Sequence, residues 1–114
     1  MNTLAQKIIA NACNKVSVEP GEIVVCKVDL AMIHDSGGPR RVKPILEKLN
    51  RKVWDKEKVV VVTDHYVPIE SKETRAIQEL TQKWVLDQDI NNFYDQQGIC
   101  HVVVPEKGHL KPGM

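Results

Sequence analysis

Three short groups in this 114-residue sequence set a histidine beside a carboxylate or a thiol. His34-Asp35 stands before Ser36-Gly37-Gly38, Asp64-His65 follows directly on Val59-Val60-Val61-Val62-Thr63, and Cys100-His101 closes Gly98-Ile99-Cys100-His101. Histidine titrates near neutrality, so it can deliver or accept a proton, and a neighbouring carboxylate orients its ring. A thiol beside a histidine suggests a nucleophile, but without an activating geometry Cys100 reads as an inert packed cysteine. The amides of Ser36-Gly37-Gly38 could bind an anion. The loop lacks both the G-x-G-x-x-G and the P-loop lysine patterns, however, and reads more simply as a lead into a helix. His109 falls in a polar tail and reads as solvated, and Trp84 reads as core or interface.

The elements that must position these groups follow from periodicity and punctuation. Thr3-x-x-Gln6 is a capping box, and Leu4, Ile8, Ile9 and Ala12 follow at helical spacing up to about Lys15. After the turn at Pro20-Gly21, the β-branched run Glu22 to Val28 predicts a first strand. Val42, Ile45, Leu46 and Leu49 predict a second helix, and Pro44, which cannot donate an interior helix bond, places its start at about residue 41 or later. Lys58 to Thr63 is continuously apolar rather than alternating, as for a central strand covered on both faces of a parallel sheet. Ser71 caps a third and longest helix with Ala76, Ile77, Leu80, Trp84 and Val85 on one stripe and Gln78 and Gln82 outside it. Ile90 to Tyr94 reads as a short strand, Gly98 to Val104 as strand or helix, and Pro105 to Gly108 as a turn. The alternation predicts a layered α/β/α domain with a largely parallel sheet. In such sheets ligands gather beyond the carboxyl ends of the strands, where all three histidine groups are expected to fall.

Composition narrows the classes. Hydrophobic residues make up 42% and charged residues 27%, the profile of one small folded domain rather than a disordered or fibrous chain. The formal net charge of +1 is spread evenly, so there is no electrostatic footprint for nucleic acid and no basic amphipathic segment for a membrane surface. No apolar run approaches the roughly 20 residues of a membrane span, and the start lacks a signal-peptide layout, so a cytoplasmic location is expected. Cys13, Cys26 and Cys100 are widely spaced, with no C-x-x-C pair, and neither a disulfide framework nor a metal knuckle is complete.

Taken in order, Val28-Asp29-Leu30 through His34-Asp35, then Val60 to Pro68 with Asp64-His65, Asn92-Phe93-Tyr94-Asp95, Gly98-Ile99-Cys100-His101 and Pro112-Gly113-Met114 resemble the N-terminal stretch of the aconitase family. The similarity is strongest to the large subunits of 3-isopropylmalate dehydratase and homoaconitase, and it spans essentially the whole chain. It implies a reversible hydro-lyase that removes water from a hydroxy-di- or tricarboxylate and adds it back at the neighbouring carbon, for the dehydratase in leucine biosynthesis. By the matching motifs, His65 would protonate the departing hydroxyl with Asp64 as its partner, and His101 would be a second proton-handling or hydrogen-bonding group. His34 would contact a substrate carboxylate, with its neighbour Asp35 as a second substrate-binding candidate.

The same resemblance implies a 4Fe-4S cluster held by three cysteines downstream, and an Asp-Ser-His segment just after Met114. Cys13, Cys26 and Cys100 do not match the cluster motif, so no metal ligand is assigned here. Residues 1-114 are expected to form an N-terminal portion of an aconitase-like α/β domain, its sheet incomplete, without the cluster-binding and C-terminal regions. Alone it is expected to bind no cluster, to be inactive and to self-associate. The family partner would be a small, swivelling-domain subunit, and this subunit or a C-terminal domain would contribute most of the loop that selects the substrate. The rival reading is a non-catalytic structural or small-carboxylate-binding module that keeps the fold.

Overall fold

Val59–Thr63 forms the centre of the molecule in the computed structural model, which describes residues 2–114. All five residues of this strand, β2, are buried, as a continuous β-branched run requires when both faces are covered. It is flanked by β1 (Ala31–His34) and β3 (Phe93–Asp95) in the order β1-β2-β3, with both pairings parallel. Full burial of a valine side chain contributes about 1.5–3 kcal/mol, so Val59 to Val62 supply a large part of the driving force. Alternate valines face opposite ways. Val59 and Val61 pack with Trp84, Val85 and Ile90, under α2 (Gly38–Leu49) and α3 (Lys72–Asp87). Val60 and Val62 pack with Cys100 and Val104 of α4 (Cys100–Glu106). The result is the expected layered α/β arrangement, with helices on both faces of a parallel sheet.

The first helix, α1 (Leu4–Ala12), starts at the capping box read from the sequence: the Thr3 N–H donates to Gln6 Oε1 at 2.9 Å and the Gln6 N–H to Thr3 Oγ1 at 3.2 Å. It packs against its own continuation rather than on the sheet. The Gln6 amide donates to the Val18 carbonyl at 3.0 Å, and the Lys27 N–H to the Ala12 carbonyl at 2.8 Å. The radius of gyration is 16.5 Å, against about 13 Å for a compact chain of this length, and the long dimension is 51 Å.

Several expectations are corrected. Residues 22–28 are not a strand: they have no ladder partner, and Ile23 and Val25 are more than nine-tenths exposed. The place beside β2 is taken by Ala31–His34, and β propensity without a neighbouring strand does not make one. The second helix starts at Gly38, not at about 41. Pro39 occupies its first turn, where no N–H is needed, and Pro44 is accommodated inside because it lies on an exposed face, where the Arg40 carbonyl it leaves unbonded can be solvated. Gln78, expected outside the α3 stripe, is buried with Thr81. The third strand is shifted to Phe93–Asp95, and residues 98–104 resolve as a loop leading into α4, which also takes in Pro105 and Glu106. His109 is not merely solvated: its Nε2 lies 2.6 Å from the Tyr94 hydroxyl. No helix among the described residues is long and apolar enough to cross a membrane.

The turn from β1 into α2 depends on Gly38. A Cβ there would stand 2.0 Å from Ile33 Cγ2, inside the β1–α2 contact. Gly38→Ala is therefore expected to lower stability by about 1–3 kcal/mol in urea denaturation, the usual cost of overpacking. Removing the obstructing methyl in Ile33→Ala/Gly38→Ala should make the combined loss smaller than the sum of the two single losses.

Candidate functional site

Parallel pairing brings the carboxyl ends of β1 and β2 side by side, with His34 opposite Val62, so the residues that follow each strand meet. The rings of His34 and His65 stack with centroids 4.1 Å apart and planes 16° from parallel. Ser36 Oγ lies 2.9 Å from His34 Nδ1, and Asp64 Oδ1 lies 2.6 Å from His65 Nδ1. Each imidazole is thus fixed through Nδ1. Among the described residues no hydrogen bond takes either Nε2, and those nitrogens are the ones free to meet a ligand.

Two buried carboxylates frame His65. The Asp64 side chain is 6% exposed and that of Asp35 4%, while His65 itself remains open to solvent. Asp35 Oδ1 lies 3.6 Å from His65 Nδ1. Burial alone would raise the Asp64 pKa, but hydrogen bonds from Cys100, above all its N–H at 2.6 Å, and from His65 outweigh it and hold the carboxyl below its ordinary value. At neutral pH Asp64 is a carboxylate aimed at the imidazole, which suits orienting the ring and stabilising an imidazolium.

Cys100 stands on the other side of this bond. Burial first, and then the Asp64 carboxylate, push its thiol pKa up. A protonated, buried thiol is a poor nucleophile, so the arrangement does not support thiol chemistry with His101. His101 occupies the first turn of α4 and is exposed, and among the described residues its side chain bonds to none of His34, Asp35, Asp64 and His65. The structure brings together His34, Asp35, Asp64 and His65, and it links His101 to them only through the neighbouring Cys100 N–H.

Sequence reasoning missed a third carboxylate. Asp95, the last residue of β3, accepts from Thr63 Oγ1 at 2.6 Å, Gln78 Nε2 at 2.7 Å and Gln82 Nε2 at 2.7 Å. The Gln96 N–H donates to Thr63 Oγ1 at 2.9 Å. This network ties the end of β2, one residue before Asp64, to β3 and α3. The signal available was the pair Gln78 and Gln82 at i, i+4, which share one helix face.

His34, Asp35 and His65 each offer one ligand atom within 4.8 Å of the others, a two-histidine, one-carboxylate set of the kind that holds a single divalent ion. The thiols do not form a set. Cys13 Sγ donates to the Ala10 carbonyl at 3.5 Å and Cys26 Sγ lies 4.0 Å from the Ile9 carbonyl, both at α1, whereas Cys100 packs against the sheet. They do not fit the ligand set of an iron-sulfur cluster.

An α/β domain with a histidine-aspartate pair at the carboxyl ends of parallel strands is a class of ligand-binding fold that hosts many chemistries. Comparison with known proteins narrows it. No family model matches the chain. It is 46% identical over 112 residues to a probable 3-isopropylmalate dehydratase large subunit of Methanothermobacter thermautotrophicus, covering 97% of this chain and 27% of the relative. It is 43% identical over the same coverage to 3-isopropylmalate dehydratase large subunit 1 of Methanopyrus kandleri, and 39% to a probable methanogen homoaconitase large subunit of M. thermautotrophicus. The chain belongs to this family of large subunits and matches its N-terminal part, spanning about a quarter of its relatives' length.

Because the Asp64 pKa is depressed in the folded state, its contribution to stability is present above the ordinary carboxylate range and is lost as pH falls through it. Asp64→Asn is expected to cost about 1–3 kcal/mol at pH 7, the range for a buried group that loses its partner. The gap between the two proteins should close as pH drops below about 4, as read from urea denaturation across that range.

Proposed function

We propose that this chain forms one wall of the active site of a hydro-lyase that interconverts 2-isopropylmalate and 3-isopropylmalate by dehydration and rehydration, a step of leucine biosynthesis. The observation that supports this most is the Asp64–His65 contact of 2.6 Å beneath the stacked His34 ring, at the carboxyl ends of β1 and β2, in a chain of this family. His65 delivers a proton through Nε2 to the departing hydroxyl, while Asp64 holds Nδ1 and stabilises the charged ring. His34, oriented by Ser36, offers Nε2 to a substrate carboxylate. His101 supplies a second proton-handling or hydrogen-bonding group as the site closes around it.

By the family resemblance, a 4Fe-4S cluster supplies Lewis acidity toward the hydroxyl when bound. Its three cysteine ligands and the base that takes the carbon-bound proton come from outside these residues. The whole site therefore needs the remainder of the large subunit and a small subunit, and these 114 residues alone are inactive. Residues 1-114 are an N-terminal portion of the α/β domain, and the setting of the complete enzyme is the cytoplasm.

Histidine-labelled protein titrated with 3-isopropylmalate tests the substrate reading by NMR. Shifts confined to the rings of His34, His65 and His101 are expected. Silence at all three, with the fold intact, would sink the reading and leave a structural module of the same fold. The strands β1 and β3 are sheet edges, and large apolar side chains such as Leu4, Val16 and Leu86 are exposed, so the isolated chain self-associates. Sedimentation velocity should show species larger than the monomer growing with concentration, and a strict monomer at high concentration counts against it.

A further inference from the structure

The segment that carries the Asp64–His65 pair has no regular structure of its own: residues 64–70 lie between β2 and α3 in neither helix nor strand. Its first three backbone N–H groups nevertheless converge on one side chain. Asp35 Oδ1 accepts from the Asp64 N–H at 3.4 Å and the His65 N–H at 3.1 Å, and Asp35 Oδ2 accepts from the Tyr66 N–H at 3.3 Å. Asp35 is 3% exposed, and among the described residues no lysine or arginine pairs with it. A buried carboxylate without a cation partner is costly unless hydrogen bonds compensate it, and here three successive amides do so. Each half of the arrangement needs the other, because the amides would be unpaired without Asp35 and Asp35 would be an unsolvated charge without the amides.

From this we propose that Asp35 is the positioning residue of the Asp64–His65 pair. It fixes the backbone of the loop that aims His65 at the ring of His34, and it does so from the residue just past the neighbouring strand, so the ends of β1 and β2 cannot part without disordering the pair. With both oxygens committed to the loop, Asp35 acts on substrate through His65 rather than by touching it. The functional consequence rests on the reading of His65 given above. The positioning itself is independent of substrate.

The test uses Asp35→Ala and Asp35→Asn in the full chain, read by amide hydrogen exchange and by the nuclear Overhauser contact between the rings of His34 and His65. In Asp35→Ala, exchange at Asp64, His65 and Tyr66 should accelerate by about tenfold or more relative to the β2 amides, and the ring contact should disappear. Asparagine keeps one carbonyl oxygen, so Asp35→Asn should protect the Asp64 and His65 amides, free only that of Tyr66, and keep the ring contact. If Asp35→Ala does not fold, the residue-by-residue pattern in Asp35→Asn decides by itself. Unchanged exchange at residues 64–66, or acceleration that runs in parallel through β2, overturns the proposal. Because no substrate is present, such a failure leaves the proposed reaction standing. A loosened loop together with a silent isopropylmalate titration of the unaltered chain would instead sink the reaction and keep the positioning role.

Discussion

Parallel pairing of Val59–Thr63 with a strand on each side is the constraint on which the rest of the structure depends. A strand covered on both faces has no access to water, so its backbone donors and acceptors must be met by neighbours. Ala31–His34 and Phe93–Asp95 meet them. Since all three strands run the same way, the chain must return across the sheet between one strand and the next, and it does so through α2 and through α3 on the same face. The same pairing brings the ends of the strands to one edge. Every residue assigned a chemical role in this chain lies at that edge or one turn beyond it.

What holds that edge in order is a set of carboxylates. Each strand ends on or beside an aspartate, and each aspartate accepts hydrogen bonds from a different element. Asp35, after β1, gathers amides from the loop after β2; Asp64, after β2, takes the first N–H of α4; Asp95, in β3, binds the end of β2 and two glutamines of α3. Asp35 and Asp64 work here as acceptors for backbone donors that secondary structure leaves unpaired, and Asp95 for side-chain donors. Loops and helix starts produce such donors in number, and a buried carboxylate can satisfy several at once. The His34–His65 stack stands on this framework, so the geometry of the histidines follows from bonds that do not involve their rings alone.

The chain matches about a quarter of the length of its relatives, and its thiols are scattered between α1 and the sheet. It presents a wall with two free imidazole nitrogens and a charged aspartate behind one of them. Large apolar side chains are exposed on the chain, and β1 and β3 are the two edges of its sheet.

The sequence by itself determined the elements whose signal is local. The valine run read as a buried central strand, Thr3 with Gln6 and Ser71 set helix starts through caps, and Asp64-His65 stood directly after the run. The family was legible too, since the order of several short motifs is a property of sequence alone. Tertiary structure decided whatever needed a partner. Residues 22–28 have the composition of a strand, but the place beside β2 went to Ala31–His34, and a strand is defined by its neighbour. Gln78 looked like a surface residue until Asp95 gave it a buried acceptor. His34 and His65, thirty-one positions apart, stack because parallel register sets the ends of β1 and β2 together, and α4 meets them through the Cys100 N–H on Asp64, with His101 the next residue along.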